Sequence, residues 1–163
     1  MVSTTTIQPA TVFAWFMLMI NLRRVVLLII ATIIGRNKPF PSGSRVPEDK
    51  ILRKCQVEPM TTGINHTAFT KDIRIYKTIS NDAENDVYFI IILLATALYI
   101  DTVSGDCTRT IIYGAIYLFF RILYAIAYIM ALQPFRSIAF FLSLACTLAC
   151  NLDLVITISR RSN

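Results

Sequence analysis

The chain has 163 residues, of which 55% are hydrophobic and only 16% charged. That balance argues against an ordinary soluble domain, in which about a quarter of the residues are charged. The formal net charge of +6 would suit nucleic acid or an anionic membrane surface. Because the apolar residues lie in long blocks, and no basic and aromatic residues alternate as on a nucleic-acid surface, we expect a membrane protein without a nucleic-acid partner.

The first apolar block, residues 11–35, predicts a membrane-spanning helix that is interrupted by Arg23 and Arg24. The block is too long, and charged too near its middle, to be the core of a signal peptide. On a helix, adjacent side chains point about 100° apart. We therefore expect Arg24 to face the other helices and Arg23 to point away from them.

A basic loop, residues 36–77, follows the first span. It holds nine Lys and Arg residues against four Asp and Glu, and its "KPFPSGSRVPEDK" is rich in loop-forming residues. The excess of positive charge predicts that this loop lies in the cytosol, with both chain termini on the other side of the membrane. The glycosylation sequon at Asn65 would then remain unused.

Three further apolar blocks predict spans at about residues 83–103, 110–132 and 136–158. Backbone polar groups in lipid must bond within their own segment, so the spans should be helices. The links between the last three spans are short, which favours antiparallel neighbours. We expect an all-α, integral membrane four-helix bundle that forms a single membrane domain.

Polar and aromatic residues recur at helical spacing in three of these helices, as if along one face of each. They are Arg74, Lys77, Asn81 and Glu84 before and within the second span; Tyr117, Arg121, Tyr124 and Tyr128 in the third; and Arg136, Phe140, Ser143 and Thr147 in the fourth. Charges inside a span cost roughly 2.5–3.5 kcal/mol each and usually face a bundle interior. The stripes predict a cationic pocket, with Glu84 and Asp49 as counter-charges. The alternative is that Arg–Glu pairs simply hold the bundle together.

Four cysteines and a single histidine match no zinc signature. Cys146 and Cys150 lie four residues apart in an apolar segment, which favours two small buried side chains on one helix face. We expect neither a disulfide framework nor a metal site.

Four short stretches, taken in order, carry a family resemblance: "RVPEDK", "NDAEN", "RILYAIAY" and "FRSIAFF". Together they resemble the membrane-associated proteins in eicosanoid and glutathione metabolism, the MAPEG superfamily. Within it, the likeness is greatest to the microsomal glutathione transferases and the microsomal prostaglandin E synthases. The resemblance covers about residues 12–158. It implies a homotrimer that holds glutathione between neighbouring subunits on the cytosolic side.

The resemblance also implies roles for individual residues. Arg136 matches the arginine that stabilises the glutathione thiolate, and Ser137 and Asp49 match catalytic positions of the synthases. The positions matching glutathione contacts are Arg36, Arg74, Lys77, Asn81, Glu84, Arg121, Tyr124, Tyr128 and Phe140.

Several positions depart from the family pattern. Ile79 stands where a histidine is expected, Tyr76 where transferases often have arginine, and Phe140 where the synthases have tyrosine. Since anion contacts are missing, we expect weaker glutathione binding than in relatives with the full motif.

The function that we expect is a glutathione-dependent transferase or peroxidase acting on lipophilic electrophiles dissolved in the membrane. One alternative is a glutathione-dependent isomerase of a lipid peroxide such as prostaglandin H. The other is a non-catalytic binding or scaffold protein of the same fold. The resemblance implies a location in the endoplasmic reticulum, with the mitochondrial outer membrane as the second choice.

Overall fold

Residues 8–35 and 71–161 are described by the computed structural model of the chain. They form four long helices, α1 (Pro9–Gly35), α2 (Lys71–Thr96), α3 (Thr108–Ile129) and α4 (Gln133–Arg161). Each of the four belongs to a helical stretch long and apolar enough to cross a membrane. The described part of the chain contains no strand. The prediction of an all-α integral membrane four-helix bundle is confirmed.

Helix α2 begins at Lys71 and therefore includes the polar stretch that precedes the apolar run. Beyond Thr96 the helix widens into a π-helical segment, Ala97–Asp101, and then closes with one α-helical turn, Thr102–Ser104. Gly105 ends it in the left-handed conformation, with φ +71°, which glycine adopts without steric cost. The same helix therefore carries both the polar residues and the apolar residues that face lipid.

Helix α2, like α3, contacts each of the other three helices. Its buried side chains are spaced by three or four residues along its length: Ile75, Thr78, Asp82, Asp86, Phe89, Leu93 and Thr96. This is the spacing of one helix face packed against neighbours. Two carboxylates therefore lie in the middle of the packed face.

The apolar core is formed by all four helices. Ile20, Phe89, Leu93, Tyr117 and Cys146 make one buried cluster. In it the rings of Phe89 and Tyr117 stack with centroids 3.7 Å apart. Large apolar side chains elsewhere, such as Trp15, Ile33 and Phe141, are mostly exposed on the single chain. Lipid or a second protein would have to cover such a surface.

A tight turn joins α3 to α4 and brings their ends together. Leu132 donates its backbone N–H to Ala127 at 2.9 Å, and Ala131 donates to Tyr128 at 3.3 Å. This is the Schellman pairing that satisfies the last carbonyls of a helix. Ala131, with φ +64°, holds the left-handed position that is more often glycine. The turn places Arg136, in the first turn of α4, beside the last turn of α3.

The opposite end of this hairpin is also fastened by polar contacts. The Arg109 guanidinium lies 3.3 Å from the Asp153 carboxylate and donates to the Thr157 hydroxyl at 2.9 Å. In the preceding loop, Asp106 accepts hydrogen bonds from the hydroxyl and the backbone N–H of Thr108. These two bonds lower the pKa of Asp106 below its usual value. The Arg109 contacts tie the start of α3 to the last turns of α4.

Candidate functional site

A buried ion cluster ties three helices together near the middle of the bundle. Arg23 of α1 donates through Nη2 to Asp86 of α2 at 2.6 Å and lies 3.3 Å from Asp82. Arg121 of α3 lies 3.4 Å from Asp82 and 4.0 Å from Asp86. Since two guanidinium groups face two carboxylates, the cluster is formally neutral. Neutrality is what allows four charged side chains to remain together away from water.

Two uncharged side chains extend the buried ion cluster. The Tyr117 hydroxyl donates to Asp86 at 2.9 Å and accepts from Arg121 Nε at 3.1 Å. Arg121 Nη1 donates to the amide oxygen of Asn81 at 2.8 Å. The Arg121 guanidinium also lies against the rings of Tyr117 and Tyr124, 5.5 and 5.6 Å from their centroids. Asn81 is therefore the cluster's link to the surface.

The cluster corrects two expectations from the sequence. Arg23, rather than Arg24, points to the other helices, while Arg24 is exposed. Asp82 and Asp86, rather than Glu84, are the carboxylates beside the arginines; Glu84 is exposed on the single chain. The reason is the direction in which α2 packs: its buried face includes positions 82 and 86 and excludes position 84.

The buried ion cluster is sealed rather than open to a ligand. Arg121 is completely buried, and the side chains of Asp82 and Asp86 are almost so. Arg23 Nε, Arg23 Nη1 and Arg121 Nη2 are buried atoms without a hydrogen-bond partner. Such atoms are costly to bury, so the cluster holds the helices in register but offers no surface for chemistry.

Next to the cluster, an open cleft of about 340 Å³ lies between α2, α3 and α4. Its lining residues combine a cation, an amide, a hydroxyl and an aromatic wall: Asn81, Tyr124, Tyr128, Arg136, Ser137, Phe140 and Phe141. The ring of Tyr124 lies 5.6 Å from that of Tyr128 and 6.0 Å from that of Phe140, centroid to centroid. A cleft with this lining can hold a molecule that has both an anionic group and an apolar portion.

A second cavity, of about 220 Å³, adjoins the cleft at the α3–α4 turn. It is lined by Arg74, Tyr128, Ala131, Leu132, Gln133 and Arg136. Tyr128 and Arg136 belong to both spaces, and the Arg136 guanidinium lies over the Tyr128 ring, 4.9 Å from its centroid. Together the two spaces place Arg74 and Arg136 along one continuous, cation-lined surface. Such a surface suits a ligand with more than one anionic group.

A comparison with protein families matches residues 65–155 to the MAPEG family. The match covers more than half of the chain and includes every residue that lines the cleft. The chain belongs to the MAPEG family. No curated protein matches it.

MAPEG proteins are four-helix membrane bundles that generally use glutathione and are typically oligomeric, and the family includes glutathione transferases and related enzymes. This MAPEG chain is accordingly an integral, multi-pass membrane protein. The family and the bundle therefore agree with the fold that the sequence motifs predicted.

The structure brings together most of the residues predicted from the MAPEG resemblance. Those that line the cleft or the adjoining cavity are Arg74, Asn81, Tyr124, Tyr128, Arg136, Ser137 and Phe140. Arg121 lines neither space and reaches the cleft only through Asn81. Lys77 and Glu84 are exposed on α2, outside the lining of both. Arg36 and Asp49 fall outside the described residues.

Ile79 of this MAPEG chain is half-buried and lines neither the cleft nor the cavity. It precedes Asn81 by two residues, so on a helix it points to a different side of α2. Within residues 8–35 and 71–161, no group of His, Cys, Asp and Glu could hold a metal ion.

Four lining residues were not expected from the sequence: Ala131, Leu132, Gln133 and Phe141. Gln133 and Phe141 contribute to the cavity and the cleft respectively. Gln133 lies three residues before Arg136, and Phe141 lies four after Ser137. Each therefore shares a helix face with a predicted site residue. This helical spacing is the feature of the sequence that could have identified Gln133 and Phe141.

Proposed function

We propose that this MAPEG protein is a glutathione-dependent transferase, also active as a peroxidase, acting on lipophilic electrophiles dissolved in the membrane. The observation that carries the proposal is the position of Arg136, which is shared by the cleft and the cavity beside it. A cation at that junction can bind an anionic tripeptide and also lie close to its sulfur. We place the protein in the endoplasmic reticulum as a homotrimer, as the resemblance implies.

The proposed chemistry requires a thiolate. A free thiol has a pKa of about 8.5, so only a few per cent is ionised at neutral pH. A permanent positive charge nearby favours the thiolate and lowers that pKa. The sulfur then attacks an electrophilic carbon, a carbon–sulfur bond forms, and the leaving group departs with its electron pair. Arg136 supplies the charge, and the aromatic wall at Tyr124 and Phe140 gives the sulfur an apolar surface on one side.

The second substrate would arrive through lipid. An apolar groove of about 320 Å³ lies on another side of the α3–α4 pair, lined by residues such as Phe120, Leu123, Phe135 and Leu142. Exposed Phe141 is part of the cleft wall, so the cleft meets the lipid-facing surface directly. A lipophilic electrophile can therefore approach the sulfur without leaving the membrane.

A homotrimer would give Glu84 a role. Glu84 is exposed on the single chain although it lies in the membrane-spanning part of α2. A carboxylate in that position is costly unless it meets a polar partner. In the proposed trimer, the neighbouring subunit and the bound glutathione supply that partner.

One observation favours the glutathione-dependent isomerase as a second candidate. Ser137 is exposed and lines the cleft directly beside Arg136, so its hydroxyl can contact a peroxide oxygen as well as a thiolate. The same cleft would then rearrange a lipid peroxide instead of forming a conjugate. The product separates the two candidates.

Two measurements on the purified protein in detergent test the proposal. Reduced glutathione should raise the melting temperature, because a ligand that binds only the folded state stabilises it. Turnover of an aromatic electrophile should depend on glutathione, and a lipid peroxide should be tested beside it. A protein that is neither stabilised by glutathione nor active on either substrate would be the non-catalytic binding protein instead.

A further inference from the structure

The orientation of one side-chain amide in the cleft is set by chemistry. Arg121 Nη1 lies 2.8 Å from the Asn81 amide oxygen. A guanidinium has only donors, so the amide atom that faces it must be the oxygen. The amide nitrogen of Asn81 is then the terminal atom turned away from Arg121. Asn81 itself is half-buried and lines the cleft.

Arg121 is held in a single position by the cluster around it. Its Nη1 lies 3.4 Å from Asp82, and its Nε donates to the Tyr117 hydroxyl at 3.1 Å. Tyr117 is in turn fixed by Asp86 and by the ring of Phe89. A guanidinium held in this way at Nε and Nη1 keeps the amide beside it from turning over. Pre-organisation of this kind is how a second layer of residues supports a binding group.

We infer that Arg121 is a positioning residue: by holding the Asn81 oxygen, it makes this wall of the cleft a hydrogen-bond donor that takes a carbonyl or carboxylate oxygen of the ligand. This inference rests on the proposed function in taking glutathione as that ligand. Glutathione offers such oxygens on its two carboxylates and two peptide carbonyls. Without Arg121, the amide of Asn81 could present its oxygen instead, which would repel the same groups.

An isosteric substitution tests the donor. Asn81→Asp keeps an oxygen for Arg121 but replaces the amide nitrogen with a second oxygen. We expect the dissociation constant for glutathione to rise at least about tenfold while the protein remains folded. The matched control is Asn85→Asp, one turn along α2, where Asn85 contacts the Asn81 backbone oxygen and lies outside the cleft lining. Equal weakening by both variants would show that added negative charge, and not loss of a donor, is responsible.

A double-mutant cycle tests the action of Arg121 through Asn81. Arg121→Lys keeps the charge beside Asp82 but loses the fixed fork of the guanidinium. We expect it to weaken glutathione binding several-fold in the wild-type background and to have almost no further effect in Asn81→Ala. Non-additivity of this kind marks residues that act through one another. Equal weakening in the two backgrounds would assign Arg121 a merely structural role and overturn the inference.

The melting temperatures of the same four proteins without ligand separate this inference from the proposed function. If Arg121 contacts the Asn81 oxygen, the two substitutions are non-additive in stability even when no glutathione is present. If the wild-type protein does not bind glutathione but the two substitutions are coupled, the proposed function is wrong. The contact between Arg121 and Asn81 would still be supported. Additive effects on stability would show that the two side chains do not interact, and would overturn the inference.

Discussion

At the residue scale, Arg136 is the side chain on which the proposed thiolate chemistry depends most. Arg136→Leu removes the charge beside the proposed thiolate. We expect the absorbance of bound thiolate near neutral pH to disappear and the conjugation rate to fall at least about tenfold, which corresponds to about 1.4 kcal/mol. The measurement is ultraviolet difference spectroscopy of the glutathione complex together with steady-state turnover.

The competing explanation is that Arg136 only anchors the helix end at the membrane surface. In that case Arg136→Leu would impair insertion or assembly, and the thiol pKa of bound glutathione would be unchanged. Arg160→Leu is the matched control, because Arg160 is an exposed arginine near the far end of the same helix. An oligomer of Arg136→Leu with wild-type turnover would contradict the assignment.

The adjacent pair Arg23 and Arg24 provides a second residue-scale prediction. Arg23→Leu leaves Asp82 and Asp86 with a single buried counter-charge, and an uncompensated buried charge costs about 3–5 kcal/mol. Arg24→Leu, on an exposed face, should change the free energy of unfolding by less than about 0.5 kcal/mol. Thermal or denaturant unfolding in detergent measures both.

A second substitution checks that the cause is charge. Asp86→Asn in the Arg23→Leu background makes the cluster neutral again and should recover part of the lost stability. If the two arginine variants are equally stable, the buried ion cluster does not hold the helices together.

At the scale of elements, the helices and their stripes were predictable, but the direction in which α2 packs was not. The apolar blocks indicated the four helices, and the stripe on α3 was correctly oriented, since Tyr117, Arg121 and Tyr124 are all buried. On α2 the polar stripe predicts Glu84 as the counter-charge, although Asp82 and Asp86 share the buried face with Ile75 and Phe89. The spacing of these four positions was visible in the sequence. Because a carboxylate is not expected at a core position, this spacing did not identify Asp82 and Asp86 as buried residues.

The contact between α1 and α3 leads to an element-scale prediction. A Cβ added at Gly114 would lie 2.7 Å from the ring of Phe16, closer than side-chain carbons approach. Gly114→Ala should therefore destabilise the protein by about 1–3 kcal/mol, the usual cost of overpacking. Ala115→Leu, on the exposed face of the same helix, is the control. Phe16→Leu combined with Gly114→Ala should recover stability, and failure to do so would mean that the two helices do not approach as described.

At the scale of the whole molecule, the placement of the chain across the membrane remains a prediction from its charges. The loop at residues 36–77 carries nine basic residues, and we expect it to face the cytosol. Asn65 should then carry no glycan when the protein is made in the presence of microsomes. A tag with a sequon, appended to the N-terminus, should be glycosylated in the same experiment. A glycosidase-sensitive mass shift that disappears in Asn65→Gln would show that the topology is inverted.

How much of the site could be predicted also depends on the whole molecule. The family resemblance predicted Tyr128 from a stretch of the third span and Arg136 and Ser137 from a stretch of the fourth. All three line one cleft, because the short α3–α4 turn leaves little choice in how they meet. Arg121 and Glu84 were not predictable in the same way. The packing of several helices decides whether a polar side chain faces a cleft, a sealed cluster or the outside. The helical spacing of polar residues in the sequence does not specify which of these it is.

The buried ion cluster also has a consequence for the synthesis of the protein. Arg23 leaves the ribosome first, and Asp86 follows it by 63 residues. At 5–20 residues per second, the arginine waits roughly 3 to 13 s for its partner. During that interval Arg23 has no acidic partner and, like Arg24 beside it, opposes insertion of the first helix by roughly 2.5–3.5 kcal/mol. We therefore expect the first two helices to enter the bilayer as a pair, and α1 produced alone to insert less completely than α1 followed by α2.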